Sequence, residues 1–426
     1  MRTQLLVLLC GGWITSINAN ASQYVPLQDE YLTARIEQLA VIASIPIISK
    51  PYSVEVIRAA LDEIERDVPG LYFEINGLLS KYEEPYGLSY ADVYAQMRSK
   101  SDSEPSDFLY GGEFSSSNLG GRAIAHYRFA PSLLLSLGGS WYQEGEDSFQ
   151  PNYSYLSLGQ PNLNMFVGYK DRNSSVMKLS RWFNSLYQVA SPSVSFSSFQ
   201  GVAKRYSPNI ELGVRWLGED SLSFSAAPEH RFFHFSIEPS KGWTLGGSID
   251  DVKEGDYSEL VFVENQRSYS LSSRFNFSVP VPVSVYGEHT VFEHERYETK
   301  GLSLGADLPL GAPLVWLQNV SLMVERQVWD SDNTDFELAR MERSTLLPGY
   351  SGSSFYLGLG WQRDNYTRYD LGIESWNADE FGIDDQYKVA LSRNWSIGEF
   401  LANLELSYEK QNNGDNAFAT KLTLRY

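Results

Sequence analysis

The spacing of hydrophobic and polar positions changes once along this chain. Between about residues 29 and 85 apolar residues recur every three or four positions; from about residue 106 they alternate. The alternation is plainest at the end. Phe418, Thr420, Leu422, Leu424 and Tyr426 fall on one face of a strand, and Ala419, Lys421, Thr423 and Arg425 on the other. Before the polar turn Gln411–Asp415, the residues Phe400, Ala402, Leu404, Leu406 and Tyr408 alternate with Leu401, Asn403, Glu405 and Ser407. Strands of about 10 residues with one apolar and one polar face predict an antiparallel transmembrane β-barrel. A soluble sheet with one buried face is the alternative.

Working back from the C-terminus, strands are predicted near 400–408, 385–393, 366–376, 353–363, 315–328, 299–308, 282–291, 267–278, 257–264, 243–249 and 231–237. Upstream the pattern blurs, and 171–205 yields no assignment. About 320 residues at roughly 18 per strand and connection give about 18 strands, within a range of about 16 to 20. So many strands in one unit favour a lipid-facing belt over a sandwich. With the C-terminus in the periplasm, short links (Asp364-Asn365, Val279–Pro282, Pro309–Pro313) fall inside and long ones (Trp329–Gly352, Asn377–Asp385, Gln411–Asn416) outside, the asymmetry of an outer-membrane barrel.

The earlier segment reads as a small helical bundle over 22–105, either periplasmic or plugging the barrel of 106–426. Asp29 caps a first helix carrying Leu32, Ile36, Leu39 and Ala43; Ser53 caps a second carrying Val56, Ile57, Ala60, Leu61 and Ile64. A third carries Leu71, Ile75, Leu78, Leu79 and Tyr82. Such a bundle has little core of its own, so docking in the barrel mouth is a natural alternative to mutual packing alone. Leu88 to Met97 fits a strand or a helix.

Composition narrows the class. Mean hydropathy is −0.30, and no later apolar run reaches the roughly 18 residues of a spanning helix. Aromatics make up 14%, which suits interfacial girdles. A net charge of −19 argues against nucleic acid. Residues 1–21 read as a signal peptide, with Arg2, an apolar run from Leu5 to Leu9, and small residues at Ala19-Asn20-Ala21. The only cysteine, Cys10, lies within it, so the processed chain has no thiol chemistry.

Candidate chemistry lies in outer connections that set acids beside rings: Trp329, Asp330, Asp332, Asp335 and Tyr350, then Trp376, Asp379 and Phe381. Ring faces suit sugar C–H surfaces and carboxylates suit hydroxyls; solvated loops with girdle aromatics are the plainer alternative. Asp330–Asp335 echoes the start of a calcium loop but lacks its glycine and closing glutamate, so no metal or cofactor is expected. Arg274, Arg326, Arg368, Asp370 and Glu374 are expected to face a polar lumen, as stiffening ladders or as a constriction. The five histidines are scattered, with no metal-ligand motif and no nucleophile elbow.

The stretch Val25-Pro26-Leu27-Gln28-Asp29 through Leu32, Arg35 and Leu39, then Ile45-Pro46-Ile47-Ile48 to Pro51 and Leu61, resembles the N-terminal signature of the capsule assembly Wzi family. Asn209–Arg215 resembles a later strand of that family. Lys50 stands where the family has Trp, and Arg181-Trp182-Phe183 is the remnant of its Trp-Gly-Pro-rich segment. The resemblance implies an outer-membrane barrel with a helical N-terminus that binds capsular polysaccharide or exopolysaccharide, lectin-like and non-enzymatic. The expected partners are that glycan, outer-membrane lipid, and the barrel assembly machinery through the C-terminal strand; a monomer in a Gram-negative outer membrane is expected. A diffusion porin is the alternative, and an outer-membrane hydrolase a third reading.

Overall fold

The computed structural model describes residues 21–27, 29–43, 45, 48, 50–66, 68–99, 117–144, 146–160, 163–170, 175, 177, 191–198, 208–217, 227–258, 261–277, 283–308, 320–333, 351–364, 367–378, 383–397, 400–410 and 416–426. The signal peptide expected over 1–21 therefore lies, except for Ala21, outside the described residues. Three helices come first: α1 (Glu30–Ala43), α2 (Val54–Ile64) and α3 (Pro69–Glu83). Asp29 Oδ1 accepts the Leu32 amide at 2.9 Å at the start of α1, and Ser53 Oγ accepts the Val56 amide at 3.4 Å at the start of α2, each satisfying an amide with no partner inside its helix. The apolar stripes meet in one cluster built around Leu32, Ile36, Leu39, Ile57, Leu61 and Ile75. Each such buried side chain contributes about 1.5–3 kcal/mol.

The strands are β1 (Tyr86–Arg98), β2 (Ser117–Ala130), β3 (Leu133–Glu144), β4 (Glu146–Gln150), β5 (Tyr155–Gln160), β6 (Leu163–Lys170), β7 (Ser191–Ser198), β8 (Asn209–Trp216), β9 (Glu229–Ser240) and β10 (Trp243–Val252). There follow β11 (Gly255–Ser258), β12 (Val261–Val263), β13 (Gln266–Phe277), β14 (Val283–His294), β15 (Glu298–Leu308) and β16 (Val320–Ser331). The last five are β17 (Gly352–Asp364), β18 (Thr367–Ala378), β19 (Ile383–Ile397), β20 (Phe400–Lys410) and β21 (Asn416–Arg425). Neighbours pair antiparallel, and β21 pairs with β1, Asp92 opposite Arg425, so the sheet closes into an 18-strand barrel. β3 pairs with β5 low down and with β4 higher up, making those two segments one interrupted wall strand. At the break Tyr153 takes a positive φ of 58°, a strained conformation for a residue with a side chain.

The wall begins at Tyr86, well before the expected boundary at 105/106. Inward Tyr90, Asp92, Tyr94 and Gln96 alternate with outward Val93 and Met97; aromatics on the inner face obscured the period. The strand expected near 257–264 is a small separate hairpin, β11–β12, outside the ring. β16 runs to Ser331, past its expected end at 328.

Ring-strand ends separated by only two residues (β2–β3, β5–β6, β9–β10, β17–β18 and β19–β20) lie at the end of the barrel that holds Tyr426, and the strand ends separated by the most residues (β1–β2, β6–β7 and β16–β17) lie at the other. Short turns mark the periplasmic rim. Phe355, Leu359, Leu391, Leu406 and Leu422 face outward, as an apolar belt requires. Among the described residues no helix is long and apolar enough to cross a membrane; the strands cross it.

Candidate functional site: the lumen and the outer rim

An 18-strand ring is wide enough to leave a water-filled channel, and here the N-terminal segment enters it from the short-turn end. The wall grips that segment at many points. On β13, Arg274 Nη2 donates to the Ile45 carbonyl and Asn276 Nδ2 donates to the Ala40 carbonyl at 3.0 Å. Arg35 Nη2 donates to Gln362 Oε1 on β17 at 3.1 Å while its Nε binds Glu74 at 2.9 Å. Arg425 on β21 forms an ion pair with Asp29. The Leu27 amide donates to Tyr153 Oη at 2.9 Å, and the Tyr24 amide to Tyr155 Oη at 3.1 Å. The strained break in the wall therefore turns two phenols onto the N-terminal strap.

Deeper in, Ile48 reaches the wall at Gly246, where an added Cβ would collide with the Ile48 side chain. Ile48, Met177 and Tyr286 form one buried apolar cluster. Met177 belongs to the long connection after β6, at the opposite end of the barrel. Ser175 beside it donates to Glu288 Oε1 of β14 at 3.1 Å. Tyr286 lies across Gly305, its cross-strand partner, and donates to Glu325 Oε1 at 2.7 Å. Segments from both ends thus meet inside the ring. A seam between the strap and β6–β10, lined by Asn164, Asn209, Glu211 and His234, holds a cavity of about 60 Å³, room for a few waters.

Toward the long-loop end the inner wall carries a buried polar chain. Arg215 Nε donates to His230 Nδ1 at 2.7 Å, and His230 Nε2 and His234 Nε2 approach Asp250 Oδ1 at 2.9 and 3.4 Å. The sequence reading missed this group. Its one signal in the sequence was parity: His230, Phe232 and His234 alternate with Arg231 and Phe233, and so share one face of β9.

The expected luminal charges divide. Arg274 faces inward and is buried, committed to Ile45. Arg368 Nε donates to Asp370 Oδ1 at 2.6 Å and its Nη2 to Ser321 at 3.3 Å, a ladder across the inner wall. Glu374 faces inward opposite Lys388. Arg326 does not face the lumen: it is exposed on the outer face of β16, between Leu304 and Phe355 in register, while Glu325 and Gln327 point inward. Period-two parity with Val324 and Val328 is the physical reason.

The expected glycan residues also separate. Trp329 is 2% exposed and faces inward at the outer end of β16, packed over Gly352. Asp330 and Asp332 stand exposed on the rim; Asp330 accepts from Ser351 Oγ at 3.0 Å, and Asp332 accepts the Glu298 amide. Trp376 lies on β18 near its outer end. Asp335, Tyr350, Asp379 and Phe381 lie outside the described residues. No group of three metal-ligating side chains occurs among the described residues.

A closed antiparallel barrel with an apolar outer belt, short turns at one rim and a helical segment inside defines an outer-membrane β-barrel protein. Its fold is that of Wzi, described as an outer membrane protein involved in group 1 capsule assembly in Escherichia coli and a carbohydrate-binding β-barrel: the TM-score is 0.65 at 13% identity, over 96% of this chain and 99% of that one. Pseudomonas aeruginosa OccK3 (OpdO) matches with a TM-score of 0.53 at 8% identity, over 83% and 98% of the two chains. OccK11 (OpdR) of the same organism matches at 0.52 and 11%, over 80% and 94%. No family model and no curated protein sequence matches. At these identities the likeness is one of fold.

Proposed function

We propose that this protein holds capsular polysaccharide or exopolysaccharide at the cell surface, binding it as a lectin does and catalysing no reaction. The observation that carries this reading is the meeting of Ile48, Met177 and Tyr286 inside the ring. A barrel built for diffusion would keep that space open; one built as a surface anchor has no need of it. The likeness to a carbohydrate-binding barrel over nearly the whole of both chains supports the same reading. Glycan contacts are assigned to the outer rim, where Asp330 and Asp332 stand exposed beside the connections bearing Asp335, Tyr350, Asp379 and Phe381. Trp329 and Trp376 lie at the strand ends beneath them. The C-terminal strand, ending on Tyr426, would present the signal read during barrel assembly, and the protein would act as a monomer.

The test pairs two measurements. Purified protein is immobilised and titrated with surface polysaccharide from its own cells, and cells lacking the protein are assayed for polysaccharide shed into the medium. Saturable binding and increased shedding are expected; no binding and no shedding would overturn the proposal. Single-channel conductance addresses the porin reading, favoured by the Occ likeness. The full-length protein should conduct poorly, and a large steady conductance would make it a porin.

A further inference from the structure

The outward face of β17–β20 is built in rows. Leu359, Leu371, Leu391 and Leu406 are register partners across the four strands, and Leu359, Leu391 and Leu406 are among the exposed apolar residues of the molecule. The next row toward the periplasmic rim is Trp361, Tyr369, Arg393 and Leu404. Trp361 and Tyr369 stack at 5.4 Å. Arg393 is exposed, its guanidinium 5.6 Å from the Tyr369 ring centre and 5.4 Å from that of Trp395. Arg363, one step nearer the rim on β17, is exposed on the same face. No carboxylate among the described side chains shares the outward face of these four strands, on a chain whose net charge is −19.

A guanidinium facing lipid costs free energy unless it reaches the interface or an anion. Here the aromatic rings hold Arg393 in the plane of the girdle, where cation–π contact orients it without neutralising it. A planar fork of donors fits phosphate oxygens. An acyl chain would lie over Leu371 and Leu391 in the leucine row while the head group falls nearer the rim, at Arg393 and Arg363.

We propose that the outward face of β17–β20 is a seat for an anionic glycerophospholipid of the periplasmic leaflet, its phosphate held by Arg393 and Arg363 and its acyl chains laid on the Leu359–Leu371–Leu391–Leu406 row. The site is separate from the lumen and from the glycan-binding rim.

The protein, full length and refolded into vesicles, emits from several tryptophans, of which Trp361 and Trp395 adjoin the seat, and the arginine substitutions isolate the share of those two. Tryptophan fluorescence is compared in phosphatidylcholine vesicles containing equal small fractions of brominated phosphatidylglycerol or brominated phosphatidylcholine. Preferential quenching by the anionic lipid is expected, corresponding to a relative affinity of roughly five-fold for each arginine. Arg393→Gln with Arg363→Gln should abolish the preference, and Arg393→Lys should keep part of it. Equal quenching by the two lipids, or a preference that survives the double substitution, would overturn the proposal. Both side chains point away from the interior, and heat-modifiable migration on gels checks that the variants fold.

Discussion

Arg425, the penultimate residue of the chain, forms an ion pair with Asp29, the cap of the first helix. Both side chains are buried, 7% and 0% exposed by residue, so the pair ties the closing strand of the barrel to the helical segment inside it. Burial pushes the Asp29 carboxyl above the ordinary carboxylate range, with Arg425 opposing the shift. Removing one member leaves the other charged and desolvated, a loss of about 3–5 kcal/mol. Arg425→Met should therefore loosen the helices from the wall, and Arg425→Met with Asp29→Asn should recover much of that loss. Protease cleavage between α1 and α2 in the refolded protein measures it; equal sensitivity of the single and double variants would count against the coupling.

Gly246 leaves the space that Ile48 fills. Gly246→Val should push Ile48 away from Met177 and Tyr286 and raise single-channel conductance. Adding Ile48→Ala should relieve the overlap, so the wall strand recovers stability while conductance stays high. Thermal unfolding followed by circular dichroism separates the two effects.

Glu55 stands in the first turn of α2. Burial pushes its carboxyl up to about 7, against the opposing pull of Arg128 and of the Ser53 and Ser22 hydroxyls. An acid with a raised folded pKa binds its proton more tightly when folded. The helical segment should therefore lose stability as pH rises from about 4.5, the ordinary value, to about 7, and level off above. Glu55→Gln should remove that slope, gaining on the native protein at pH 8 but not at pH 4. Proteolytic protection of the helices, measured across the pH range, checks the sign.

Arg326 lies on the lipid face near the middle of β16. Arg326→Leu should stabilise the folded barrel in vesicles by about 1–3 kcal/mol, the depth-dependent cost of a lipid-facing arginine. Urea-induced unfolding in vesicles reads the change. Had the side chain faced the lumen, the same substitution would cost stability or change nothing.

The sequence was legible wherever the information was local. Alternation from Phe418 onward assigned the residues of β21 up to Arg425 to their faces, and the caps Asp29 and Ser53 follow from their positions before apolar stripes. Parity also held the answer for Arg326 and Trp329. Arg326 shares its period with Val324 and Val328, and Trp329 shares its own with Glu325 and Gln327, so charge was a poorer guide to facing than position. Leu88 to Met97 stayed open between strand and helix because the inner face of β1 bears Tyr90 and Tyr94, which blur the contrast between the two faces.

By itself the sequence determined the class of fold, the approximate strand number and the side of the wall on which most residues lie, because a strand repeats every two residues whatever surrounds it. Only the tertiary structure decided what the faces meet. Asp92 lies opposite Arg425 because the ring closes. Ile48 meets Met177 because segments from opposite ends converge in the lumen. Arg393 stands over a row of leucines because four strands share one register. Each depends on which distant segments become neighbours, and the period of a single strand carries no record of its partner.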